Sequence, residues 1–593
     1  MIYGRFNPRE FEGPFASPTD AGTGLSLEGK GYALQLAGPR AQLYSDAQLV
    51  VACIGHPRIG DGYIGAETFA TAYRQNGSTA VEQLCGNFSI VVLDALTRQA
   101  LLYTDRFAAE AMCHSEQDGS LYFCDRADVL AKRLGHAIDE QALFNYLYFH
   151  AIPAPRTAFV HVNRLEASTR LIFADAGRRI ARYWQPHFIE AEQRPLQELK
   201  VEFRTLIEMA VKRESALQST GCFLSGGTDS STVAGMLTRV SGVPAKSFSI
   251  GFDAAGYDEM EYARIAARHF GTEHHEHYLS RDELLRNIPL VAAAYDQPFG
   301  NSSAGAAYQC VLVAKANGVK KLLAGDGGDE LFGGNTRYAK HRIFEAYSIL
   351  PKILRSLAVE PVLGLPGISK LPLFGKAASY VEQARVPMPD RMNMYNLLLR
   401  LGVGEVLEPG FLARVRPEEP EEEQREVYAA ARADTLINRM LAFDWKYTLS
   451  DSDLPKVCGT AHMAGLEVAF PLLSDELLHF SLRLEPELKL KGLKLRYFFK
   501  EALRGFLPDE IITKKKHGFG LPFGQWAMDY APLRALAFDS LDALSRRGIV
   551  RPDFILLLRD RLLPAHPGYY GEMVWILMML EQWWSAYEAQ PTS

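Results

Sequence analysis

No apolar run in this chain reaches the ~18 residues that span a bilayer, so no transmembrane helix is expected. The C-terminal run Val574-Trp575-Ile576-Leu577-Met578-Met579-Leu580 stops at Glu581 and reads as a buried helix. The start, Met1-Ile2-Tyr3-Gly4-Arg5, lacks a charged segment leading into an apolar one, so no signal peptide is expected. Seven cysteines are scattered at 53, 85, 113, 124, 222, 310 and 458, with no C-x-x-C pair. That excludes a disulfide framework or zinc ribbon and fits a reducing compartment, so the cytoplasm is expected. The net charge of -6 gives no bulk electrostatic case for nucleic acid. A G-x-x-x-x-G-K-[ST] loop is missing too, since the one G-x-x-x-x-G-K stretch, Gly24 to Lys30, is followed by Gly31; this removes the Walker-type kinases and ATPases. With 593 residues, 48% of them hydrophobic, the chain has core enough for two to four domains.

Residues 1–190 read as β-rich. The runs 48–55, 88–93, 100–103 and 120–124 are short, apolar and bounded by turn residues, as buried strands of a sandwich should be. Tyr183-Trp184-Gln185-Pro186 and Gln193-Arg194-Pro195 read as a linker. From 196 onward strands (222–224, 245–252, 320–325) alternate with helices (196–214, 259–270), which predicts a parallel, doubly wound sheet. Residues 350–425 read as an irregular excursion in which the run Glu418 to Glu423 is a solvated surface. A mostly helical C-terminal part follows.

Two glycine turns stand at strand ends. The first is Ser225-Gly226-Gly227-Thr228-Asp229-Ser230-Ser231, between an apolar run and a helix start. Glycines let a backbone approach phosphates, unpaired N–H groups point at them, and the helix dipole favours their charge. The second is Gly325-Asp326-Gly327-Gly328-Asp329-Glu330, where carboxylates among glycines call for a cation. Mg²⁺, a hard ion that takes carboxylate and phosphate oxygens together, is the natural guest, with Asp229 and Asp329 as its ligands. The run His274-His275-Glu276-His277 invites a zinc reading, but no third ligand is apparent nearby.

These turns, with Ser249-Ile250-Gly251-Phe252-Asp253, Asp296-Gln297-Pro298-Phe299, Leu466-Glu467-Val468 and Lys516-His517-Gly518-Phe519-Gly520, occur in the order seen in asparagine synthetases, which this chain resembles over most of 196–585. The resemblance implies an α+β glutaminase-like N-terminal sandwich (1–190). An α/β doubly wound domain of the ATP-pyrophosphatase type (196–593) would follow. By the same resemblance, Leu224 and Ile250 flank the adenine. Ser225, Gly226, Gly227, Asp229 and Ser230 hold the pyrophosphate, with Gly325 close by. Asp229 and Asp329 hold Mg²⁺. Lys516 faces the α-phosphate, and Asp326 stands near the acyl acceptor. ATP is then a substrate, and a carboxylate is activated as an acyl-adenylate for attack by an amine. β-Lactam synthetases and lasso-peptide cyclases share this chemistry.

The chain also departs from its relatives. Glutamine-dependent members use an N-terminal cysteine, whereas residue 2 here is Ile and the first cysteine is Cys53. Glutaminase chemistry is therefore not expected, and Cys53 reads as core. An Asp-Arg pair is replaced by Cys458-Gly459, and a later Arg and Asp by Ala469 and Ser474. Loss of charge there weakens the case for aspartate as substrate, since buried carboxylates need partners. The expected partners are small-molecule or peptide carboxylates and amines. An intramolecular cyclase and a non-catalytic scaffold stay open as alternatives, as does the oligomeric state, a homodimer included.

Overall fold

A computed structural model describes residues 1–20, 24–190, 193–215, 219–254, 256–349, 383–515 and 520–590. Period-two burial builds its first part. Every residue of the strand Leu49–Gly55 is buried. Val50, Ala52 and Ile54 face a second sheet, while Val51 and Cys53 face the helix Ala66–Asn76. Two antiparallel sheets, of seven and six strands, stack through the first set of contacts. The four expected runs are the strands Leu49–Gly55, Phe88–Asp94, Gln99–Thr104 and Ser120–Cys124. Sequence reading missed exposed strands such as Gly177–Arg182, which carries no apolar alternation.

The second part holds five parallel strands: β1 (Thr220–Phe223), β2 (Lys246–Gly251), β3 (Glu273–Tyr278), β4 (Lys321–Leu323) and β5 (Glu467–Ala469). Their order is β3-β2-β1-β4-β5. The order reverses between β1 and β4, so both glycine turns leave neighbouring strand tips at the switch point, where such sheets open a crevice. β5 was not expected as a strand, because three residues are too few to show a period.

One expectation changes here and another holds. Residues 350–382 lie outside the described residues, but the acidic run is not a merely solvated face. It opens the helix Glu419–Ala429, with Pro420 near its start and Glu419, Glu421 and Glu422 in its first turn. That is where free N–H groups favour negative charge. Glu419 also pairs with Arg156 at 2.7 Å. The C-terminal run lies in the helix Pro567–Ala589, and Met573 to Leu580 are fully buried. Among the described residues no helix is long and apolar enough to cross a membrane.

The sandwich is tied to the parallel-sheet part through Asp475. This carboxylate accepts from the Gly86 N–H at 2.9 Å and pairs with Arg106 and, at 3.3 Å, with the buried Arg58. Glu476 adds a second partner for Arg58 at 2.9 Å. The Asp105-Arg106-Phe107 turn feeds this seam: buried Asp105 accepts N–H bonds from Phe88 (3.1 Å) and Phe107 (2.8 Å), aiming Arg106 outward. Asp475→Ala would leave Arg106 and Arg58 short of a carboxylate in a buried seam. We expect a loss of about 3–5 kcal/mol, read as a lower urea midpoint.

Candidate active site

The first glycine turn is rigidified from within. The Ser225 N–H donates to Ser230 Oγ at 3.1 Å, and the two hydroxyls lie 3.0 Å apart. Gly226 has φ +69°, and a side chain there would collide with the backbone of Tyr262 and Ala263. Gly227 caps the helix α1 (Thr228–Ser241), so Asp229 sits in its first turn beside the free N–H groups. Leu224, buried at the tip of β1, donates its N–H to Phe248 O at 2.8 Å. Ile250 is half-buried near the tip of the adjacent β2.

The second turn presses against the first. A Cβ on Gly325 would stand 2.7 Å from the Ser230 nitrogen, and one on Gly328 would overlap the Asp229 carboxylate. Glycine is required at both positions because the loops touch. The two carboxylates expected to hold Mg²⁺ converge on an arginine side chain in this structure. Arg496 donates to Asp229 through one nitrogen and meets Asp329 through another at 2.8 Å. Its third nitrogen reaches Thr228 Oγ1. Burial alone would lower the Arg496 pKa, but Asp229 and Asp329 outweigh it and hold the guanidinium above its ordinary range. Sequence reading missed Arg496. It follows a short Leu490–Lys491/Lys494–Leu495 hairpin at positive φ (+53°), and no motif marks it.

Acidic groups outnumber cations here. Burial pushes the Asp326 carboxyl up to about 6, against the pull of Lys456, and Asp453 and Asp229 add to the rise. Glu330 is driven well above the usual range by burial and then by Asp329. Lys456 bonds Asp453 at 2.8 Å; burial opposes its charge, but Asp453 and Asp326 more than restore it. Asp444 is held by Arg337 and Tyr338. Asp229 and Asp329 are oxygen donors of the kind magnesium takes, and Arg496 stands between them in this structure. Among the described residues no group of three or more His, Cys, Asp or Glu could hold a metal by itself, which leaves phosphate oxygens and water to complete such a site.

Lys516 and its turn, 516–519, lie outside the described residues. Its neighbour Lys514 is no surface lysine. The Lys514 ammonium donates to Gly226 O at 3.4 Å, pairs with Glu259 at 3.0 Å and stands over the Tyr262 ring. A cleft of about 860 Å³ lies beside it, lined by Tyr257, Asp258, Glu259 and Tyr262. The histidine run is an edge strand: His275 bonds Glu273 and His277 bonds Glu283, each at 3.0 Å. Gly459 is explained by packing, since a Cβ there would meet the Tyr295 ring at 2.7 Å.

The family pattern described as asparagine synthase matches residues 202–585, and the glutamine amidotransferase domain pattern matches 63–184. An asparagine synthetase (glutamine-hydrolyzing) of Bacillus subtilis strain 168 is 22% identical over 530 residues, 88% of this chain and 80% of that one. A putative asparagine synthetase of Mycobacterium tuberculosis H37Rv is 25% identical over 484 residues, covering 79% and 71%. A Penicillium rubens protein named amidase chyE is 23% identical over 522 residues, covering 82% and 75%.

The raised Asp326 value has a stability consequence. Its folded carboxyl keeps a proton up to about pH 6, whereas an unfolded Asp loses it near ~4. Folding is therefore favoured by this group below pH ~4, and that contribution is lost as pH rises through 6. Asp326→Asn should stabilise the protein above pH 6 and show no gain at pH 4, read by denaturant titration at both pH values.

Proposed function

The chain belongs to the asparagine synthase family, and from that premise we propose that it is an AMP-forming, ATP-dependent carbon–nitrogen ligase that works without hydrolysing glutamine. The observation that carries this reading is the pair of glycine turns at the switch point, with Asp229 and Asp329 drawn onto one cation. We divide the chain at the linker, into residues 1–190 and 196–593.

In the proposed route a substrate carboxylate oxygen attacks the α-phosphorus of ATP. The bond to the bridging oxygen breaks and pyrophosphate leaves. An amine nitrogen then attacks the acyl carbon, the bond to AMP breaks, and a proton is lost to a base. Backbone N–H groups of Ser225 to Ser230 cradle the pyrophosphate, Gly325 leaves room beside them, and Leu224 and Ile250 flank the adenine. Asp229 and Asp329 would hold Mg²⁺, which when bound neutralises phosphate charge. Lys516 would face the α-phosphate, and Lys514 fixes the floor of the first loop through Gly226. Asp326 is suited to accept the amine proton, since a carboxyl at about 6 is a base near neutral pH.

Glutamine hydrolysis by an N-terminal nucleophile needs a thiolate. All seven thiols of this chain are pushed the other way, chiefly by burial: Cys85 to about 11, Cys113, Cys222 and Cys310 to about 12, and Cys53, Cys124 and Cys458 well above the usual thiol range. Ile2 is fully buried in the sandwich. The same observation favours a second reading, an intramolecular cyclase that closes a macrolactam or a β-lactam. In both, the amine comes from somewhere other than glutamine.

Pyrophosphate exchange into ATP over a panel of carboxylates tests the adenylation. AMP and pyrophosphate are the expected products; ADP and phosphate would overturn the reading. Asp229→Asn should cut turnover ~100-fold or more while leaving the circular dichroism spectrum unchanged. Product should form with ammonium or an organic amine, and glutamine should not replace either.

A further inference from the structure

The place between Asp229 and Asp329 is filled by this chain's own guanidinium. Arg496 Nε meets Asp329 at 2.8 Å, a second nitrogen donates to Asp229, and the third donates to Thr228 Oγ1 at the start of α1. A divalent cation held by the same two carboxylates would take the same oxygens, so guanidinium and metal exclude one another. The arginine is pinned at its base. Its N–H donates to Gly333 O at 3.1 Å, its carbonyl accepts from the Lys500 N–H at 2.9 Å, and its backbone sits at φ +53°. A left-handed residue other than glycine is uncommon and persists where its contacts over-determine it. The guanidinium lies over the Phe499 ring, 4.8 Å from the ring centre. With the backbone fixed, only the side-chain torsions can carry the charge off the carboxylates.

An arginine does not lose its proton, and a buried one needs an anion wherever it goes. Arg496 is only 6% exposed, so water does little for it. The other acids nearby are engaged or held back. Asp444 is paired with Arg337, and Asp453 with Lys456. Burial, and then Asp329, holds Glu330 above the ordinary carboxylate range. Lys500, half-buried in helix α2 (Tyr497–Leu503), adds a second positive charge beside the first. Among the described residues it makes no ion pair. Burial and then Arg496 lower its pKa, and Asp329 pulls the other way. The anion that would serve both cations is a polyphosphate on the first glycine turn, which Arg496 already touches at Thr228. Phosphate oxygens match the fork of a guanidinium.

We propose that Arg496 is the resident counter-ion of this cation site: it keeps a bare divalent cation off Asp229 and Asp329, and it gives the two carboxylates up only when a polyphosphate arrives to take the guanidinium. The site is thereby open to metal only in company with nucleotide. The proposal rests on the reading of Asp229 and Asp329 as metal ligands and adds the residue that couples the two ligands.

The test measures binding of Mn²⁺ alone to the full-length protein, without nucleotide, from the paramagnetic resonance signal of the free ion. Arg496→Gln should bind Mn²⁺ roughly tenfold or more tighter than the wild type, because a neutral side chain leaves both carboxylates to the ion. Adding Asp329→Asn to that variant should abolish the gain. Arg496→Lys, which keeps the charge, should stay close to the wild type. The thermal midpoint of each variant verifies its folding. Should Arg496→Gln not fold, the wild type still decides: its affinity for Mn²⁺ alone should match that of the single variant Asp329→Asn. Equal Mn²⁺ affinity of the wild type and Arg496→Gln, a gain that survives Asp329→Asn, or a wild type that binds Mn²⁺ alone roughly tenfold or more tighter than Asp329→Asn would overturn the proposal. Pyrophosphate exchange reads the ligase chemistry separately. Exchange by a wild type that takes bare Mn²⁺ defeats the counter-ion and leaves the ligase; a site closed to bare Mn²⁺ in a protein without exchange does the reverse.

Discussion

The grip of one guanidinium on two carboxylates organises the centre of this molecule. Asp229 and Asp329 come from loops exactly one strand apart in the sheet and a hundred residues apart in the chain, and Arg496 meets both. Two like charges brought together in a buried site repel unless a cation stands between them. The cation also sets the distance between the loops. At that distance side chains at 325 and 328 have no room, so the glycine pattern of the second turn is a consequence of the contact.

The surroundings serve the same electrostatic problem. Asp326, Glu330, Asp444 and Asp453 ring the pair, and Lys456 and Arg337 offset only part of their charge. Burial first, and then the neighbouring carboxylates, hold Asp326 and Glu330 above the ordinary carboxylate range. A buried set of charges of this kind is costly in isolation. The seam at Asp475 extends this pattern. It locks a sandwich whose thiols are all buried or half-buried onto the part that carries the glycine turns.

Much of this was legible in the sequence, for stated reasons. Apolar runs bounded by turn residues announced the central strands of the sandwich, since a strand covered on both faces needs no alternation. Glycines and acids at strand ends announced the turns. The outer strands, such as Gly177–Arg182, gave no such signal, and neither did β5 with its three residues. The acidic run was read by its charge alone, whereas its position in the first turn of a helix gives those charges a role.

The residues of 225–231 and 325–334 by themselves determined that two carboxylate-bearing glycine bends exist at strand ends, because glycine spacing, helix starts and carboxylates are local properties. The absence of an early cysteine likewise stood in the sequence. Only the tertiary structure decided that the bends meet, that Arg496 is the cation between them, and that Lys514 lies under the first loop. Those facts depend on contacts between residues hundreds of positions apart, and no local pattern encodes which distant arginine or lysine will arrive.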